Sequence, residues 1–221
     1  MNGSDQQEQV FVPGPAGRLE ARLELPEAAG GGDAPIHHLG IISHPHPLHG
    51  GSMQSTICVR VARALRACGF ATLRFNFRGV GQSAGKHDGQ GAEQEDVRAC
   101  LEFLRERCGD LPIWGAGYSF GARTTCDLAV DEERLERLVL IALPVRHYGP
   151  GRIASVRQPG LLVFGSEDEF GRAEDLPALD AHMRIHTIAG ADHFFRGRTP
   201  RVEECVREYA RTATQGAERG S

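Results

Sequence analysis

Short apolar runs alternate along the chain with segments whose apolar residues recur every three or four positions. "VFVP" and "RLEARLEL" read as an opening pair of strands joined by the turn "GPAG". "EAAGGGDAP" (Glu27–Pro35) reads as a flexible loop, and "HLGIIS" as a buried strand. A helix is predicted from Thr56 to Cys68, with Ile57, Val61, Ala64, Leu65 and Cys68 on one face. "FATLRFNF" (Phe70–Phe77) is the next strand, and "RGVGQSAGKHDGQG" is a long glycine-rich loop. Ala92–Arg107 carries Val97, Cys100, Leu101 and Leu104 at helical spacing. "PIWGAG" is a short strand running into a turn, followed by a helix from Phe120 to Val130. "RLVLIALP", "GLLVFGS" and "MRIHTIAG" are three more strands, and "RVEECVREYART" is a closing helix.

Strands alternating with helices predict an α/β fold, with a mostly parallel central sheet flanked by crossover helices. The runs "LVLIAL" and "LLVF" have no polar face, as expected of strands covered on both sides. The pattern fits one domain over residues 10–213, with a flexible N-terminus at 1–9 and a disordered tail, "TQGAERGS", at 214–221.

Composition narrows the function classes. The 221 residues are 40% hydrophobic and 24% charged, with a formal net charge of −4 and no block of like charge. That argues against a nucleic-acid footprint or an anionic membrane surface as partner. No apolar run approaches the roughly 18 residues that span a bilayer. "MNGSDQQEQ" lacks the cationic start and apolar middle of a secretory signal, so a cytoplasmic location is expected. Six cysteines, none in a C-x-x-C pair, read as small core hydrophobes.

The chemistry gathers at "GAGYSFGAR", which contains the G-x-S-x-G pattern Gly117-Tyr118-Ser119-Phe120-Gly121 between a strand and a helix. A serine on so tight a turn projects its hydroxyl above the sheet, at a helix N-terminus that favours developing negative charge. A serine needs a base, and in this architecture base and acid follow it in the order acid, then histidine. Asp168, after "LLVFGSE", and His193, after "IAGAD", stand in that order, each behind a different strand. Glu167 and Glu169 are rival acids beside Asp168; Asp192, next to His193, is expected to turn away. His186 reads as structural, and His147 is a candidate for the pocket edge.

"SHPHPLHGG" places three histidines and two prolines within six residues. An oxyanion needs two donors: one is the amide of Phe120, and the other normally comes from the loop after the third strand. Pro45 and Pro47 have no N–H, so His46 carries the only amide donor between them, on a backbone the prolines hold rigid. Leu48 or a glycine amide are the alternatives. A metal site at His44, His46 and His49 is the rival reading, but alternate prolines make convergence of the three rings hard, so no metal is expected. His44 reads as a loop anchor bonded to backbone. "GVGQSA" imitates a dinucleotide fingerprint but does not open directly into a helix, so no cofactor is expected and Arg78 reads as part of a structural ion pair.

Taken together, "SHPHPLHGGSM", "FNFRGVGQSAG", "GYSFGA", "GSEDEF" and "GADHFF" resemble the α/β-hydrolases, and within them a group of small, capless bacterial serine hydrolases related to the dienelactone hydrolase and acyl-peptidase branches. Dienelactone hydrolases carry Cys as nucleophile, so Ser119 points instead to ordinary esters. Lids of this fold usually follow the sixth strand; about 17 residues separate Leu143 from Leu161 here, room for a short helix and no cap. The resemblance implies an open pocket bordered by Leu48, His49, Met53, Tyr118, Val145, Phe170 and Phe194. A carboxylesterase acting on small or short-acyl esters is expected, with a peptidase or thioesterase and a non-catalytic binder as alternatives. The open edge of the last strand leaves room for a homodimer.

Overall fold

The computed structural model describes residues 7–26, 34–89, 91–179 and 181–218. Eight strands form one sheet: β1 (Gln7–Gly14), β2 (Gly17–Glu24), β3 (His38–Ser43), β4 (Phe70–Phe75), β5 (Ile113–Tyr118), β6 (Leu135–Ile141), β7 (Gly160–Gly165) and β8 (Met183–Ile188). Their order is β1-β2-β4-β3-β5-β6-β7-β8. β2 runs antiparallel to both neighbours, and every pairing from β4 through β3 to β8 is parallel. Parallel neighbours need crossovers, and these carry α1 (Thr56–Arg66), α2 (Glu93–Cys108), α3 (Phe120–Ala129), the single-turn α4 (Val145–Tyr148) and α5 (Thr199–Glu218).

The unbroken apolar runs feed two cores at once. In β6, Leu138 and Leu140 pack with Val97, Leu101 and Leu104 of α2 and Cys126 of α3. Val139 and Ile141 alternate to the opposite face, with Ile57, Val61 and Leu65 of α1 and Val202, Val206 and Tyr209 of α5. That division explains why the runs show no polar face. All six cysteines are free, four of them buried.

The ends of the chain differ from the sequence reading. β1 begins at Gln7 rather than Val10, because its ladder runs on until Gln7 opposes Glu24, and Arg22 Nη1 donates to Gln7 Oε1 at 3.1 Å. α5 continues past Thr212 to Glu218, so residues 214–218 are helical rather than tail. The Thr214 hydroxyl donates back to the Ala210 carbonyl at 3.0 Å, within the helical ladder. α1 stops at Arg66, two residues early, where the chain turns through Gly69 at φ 84°. Residues 27–33 of the expected loop Glu27–Pro35, residues 1–6 and residues 219–221 lie outside the described residues. Between Leu143 and Leu161 stand only α4 and a 3-10 turn at Ile153–Ser155, as the spacing predicts.

One buried polar group positions the approach to α1. Arg74 of β4 pairs with Glu24 of β2 at 2.9 Å, both almost fully buried. Arg74 Nη1 also donates to the Met53 carbonyl at 2.6 Å, while the Met53 amide donates to Asn76 Oδ1 at 2.8 Å. The segment entering α1 is thereby fastened at both of Met53's backbone groups, to Arg74 of β4 and to Asn76 just past its end. Removing one member of a buried pair leaves an uncompensated charge. Glu24→Ala is therefore expected to destabilise the fold by about 3 kcal/mol, read from the midpoint of urea unfolding.

Candidate active site

β3, β5, β7 and β8 all run parallel, so the loops that follow them emerge at one edge of the sheet. Ser119 follows β5 and sits at φ 54°, ψ −118°. That geometry requires small neighbours. A Cβ on Gly117 would lie 2.4 Å from the Gly121 carbonyl carbon, and one on Gly121 would lie 2.3 Å from the Ser43 carbonyl oxygen. The Ser119 amide donates to the Ile141 carbonyl at 2.9 Å, and its carbonyl accepts from the Arg123 amide at 3.0 Å, joining strand and helix through one residue.

Asp168 follows β7 and is fully buried, while Glu167 and Glu169 on either side are exposed. Its carboxylate accepts from the Phe170 amide at 2.8 Å and from His193 Nδ1 at 2.9 Å. An ionised carboxylate only accepts, so Nδ1 carries the proton and Nε2 is left as an acceptor. Nε2 lies 2.9 Å from Ser119 Oγ. The Tyr118 hydroxyl donates to the His193 carbonyl at 3.0 Å, fixing the His193 backbone from the strand that leads to Ser119. Burial pushes the Tyr118 phenol well above its usual range. Asp192 turns away, accepting from the amides of Phe194 and Arg196. His186 stands exposed on β8.

The loop after β3 is the third component. His44 is fully buried, with Nδ1 donating to the Pro45 carbonyl at 2.6 Å and Nε2 accepting from the Phe77 amide at 3.0 Å. Both ring nitrogens are committed to backbone, so His44 is an anchor rather than a metal ligand. Burial lowers its pKa from 6.5 to about 4. His46 Nδ1 accepts from the Leu48 amide at 3.1 Å, capping a 3-10 turn at Pro47–His49. The backbone amides of His46 and Phe120 find no acceptor among the described residues.

These components enclose a cleft of about 470 Å³ lined by Ser119, His193 and the aromatic rings of His46, His49, Tyr118, His147, Tyr148, Phe170 and Phe194. Four of the expected border residues, His49, Tyr118, Phe170 and Phe194, therefore line it. Leu48, Met53 and Val145 do not. Leu48 stands 73% exposed on the capped turn, facing solvent. Met53 is buried behind its clamped backbone, and Val145 packs into the core beside Leu143. Ser55, Thr56, Ile57, Pro144 and Tyr148 line the cleft without having been picked out from the sequence. The signal for the first three was available: a crossover helix after a parallel strand must begin at the strand's C-terminal edge.

A sheet of this order, with an elbow serine behind β5, a buried aspartate behind β7 and a histidine behind β8, defines an α/β-hydrolase without a lid. The chain belongs to the serine aminopeptidase S33 family, whose model matches residues 46–161. It is 31% identical over 214 residues to an uncharacterised protein of Rickettsia prowazekii, covering 91% of this chain and 87% of that one. Among solved structures it resembles an α/β serine hydrolase homologue from Coxiella burnetii, at 34% identity and TM-score 0.80, over 91% of this chain and 96% of the other. It also resembles a lidless α/β serine hydrolase from Xanthomonas campestris, at 30% identity and TM-score 0.83, over 95% of both chains. The protein is a hydrolase of this class.

Acid should act on the loop anchor. His44 binds a proton more weakly folded than unfolded, so its contribution is whole above pH 6.5 and is lost as pH falls from 6.5 towards 4. The loss is on the order of 3 kcal/mol. Urea unfolding across that window should show the decline in the wild type and a flatter profile in His44→Gln.

Proposed function

We propose that the protein is a carboxylesterase acting on small or short-acyl esters through an acyl-enzyme on Ser119. The observation that carries this reading is the continuous hydrogen-bonded chain from Ser119 Oγ through His193 to buried Asp168. His193 Nε2 takes the serine proton as Oγ attacks the carbonyl, and Asp168 holds the tautomer and stabilises the imidazolium. The amides of His46 and Phe120 are the assigned donors for the oxyanion, fixed before substrate arrives. His193 then protonates the leaving alcohol, and water, activated by the same nitrogen, releases the acid.

The family's name raises the aminopeptidase alternative. An enzyme of that kind must hold a protonated α-amine, which calls for a carboxylate in the pocket. None of the described residues lining the cleft is Asp or Glu, and Asp168 lies beneath His193 with its oxygens already engaged. A half-open cleft of about 470 Å³ suits a short acyl group and leaves the rest of the substrate in solvent.

A fluorophosphonate probe should add once to the wild type and not to Ser119→Ala, as read by intact mass. Hydrolysis of p-nitrophenyl acetate should fall at least about 10,000-fold in Ser119→Ala and by a similar factor in Asp168→Asn. Turnover of aminoacyl p-nitroanilides matching that of acetate esters would favour the peptidase instead. A clear preference for palmitoyl over acetyl esters would overturn the short-acyl assignment.

A further inference from the structure

We propose that His87 and Glu93 form a second histidine–carboxylate pair, a positioning pair that braces the loop carrying the His46 amide. The catalytic meaning of that brace rests on the esterase reading above; its structural content does not.

The glycine-rich loop between β4 and α2 takes positive φ at Gly79, Gly81, Gly85, Gly89 and Gly91, conformations that side chains with a Cβ rarely adopt. It folds back on the ion pair of Arg78 with buried Asp96 and delivers His87 to the wall behind the cleft. His87 Nδ1 lies 2.6 Å from Glu93 Oε1, with both side chains almost fully buried. Glu93 opens α2, where the helix N-terminus favours a carboxylate, and its second oxygen finds no partner among the described residues. His87 is its one hydrogen-bonded partner among the described residues, so the bond sets the orientation of the imidazole.

That ring meets the two residues assigned to the oxyanion. Its centroid is 5.0 Å from the ring of His46 and 5.4 Å from that of Phe120, edge-on in both cases. The His46 ring is further held by stacking on His49 at 4.5 Å and by Phe120 at 5.1 Å. Its Nδ1 must stay unprotonated to accept the Leu48 amide, and burial lowers its pKa in the required direction. Holding the His46 ring therefore holds the turn that follows it and the backbone at His46. His87 does not line the cleft, so it acts through His46 and Phe120 and not on the substrate.

The test is a double-mutant cycle read in two ways. His87→Ala, Glu93→Ala and the double variant are compared for p-nitrophenyl acetate turnover and for hydrogen exchange in peptides covering residues 44–52 and α5. Each single change should lower kcat about 10-fold with KM within about twofold, and the double should lose no more than either single, because the pair acts as a unit. Exchange over residues 44–52 should quicken about 10-fold while α5 is unchanged. Glu93→Gln keeps an acceptor for Nδ1 and should stay close to wild type. His87→Asn keeps a donor for Glu93 but removes the ring, and it should reproduce the exchange gain even if His87→Ala folds poorly. Unchanged exchange over residues 44–52, equal quickening in α5, or fully additive losses in kcat would overturn the brace. Failure of the wild type to hydrolyse any ester would count against the esterase reading alone, since the exchange measurements decide the brace without turnover.

Discussion

The close approach of Gly121 to the end of β3 is the constraint on which the site depends. The first turn of α3 lies so near the Ser43 and His44 carbonyls that a single methyl group does not fit between them. This contact forces Ser119 into its left-handed conformation and sets the β3 loop directly over the helix N-terminus. The Thr125 hydroxyl, donating to Ser43 Oγ at 3.0 Å, ties the two elements one turn further along. Ser119, the helix end and the overlying loop are thus one packed unit.

A second layer of buried polar groups keeps that unit in register with the rest of the sheet. His44 links its own loop to the start of the β4 loop through Phe77, and Arg74 and Asn76 hold Met53 from below. None of these groups lines the cleft. Each satisfies a backbone group that a loop at the sheet edge would otherwise leave unpaired. Polar residues are expensive to bury, and here they are spent on irregular backbone while the regular elements are held by apolar packing.

The strand and helix order was legible because crossovers and hydrophobic periods are local properties. The three polar residues of the site were legible for a related reason: each stands just past the end of an apolar run, and chain order restricts which can pair. The ends of β1 and α5 were not, because they are decided by ladder partners rather than by apolar spacing. The cleft wall was read only in part. Leu48 is apolar and adjacent to the site in sequence, yet the cap from His46 Nδ1 leaves it facing water. His87 sits amid glycines with no periodicity, and its link to Glu93 spans a loop whose path depends on tertiary contacts.

The missing lid has a consequence for selectivity. With only α4 and one 3-10 turn between β6 and β7, no element among the described residues reaches across the cleft to grip the far end of a bound molecule. On the esterase reading, discrimination rests on the few atoms that touch the serine and the rings around it. A catalyst so built is expected to sort its substrates by the bond presented to it rather than by the body that bond is attached to.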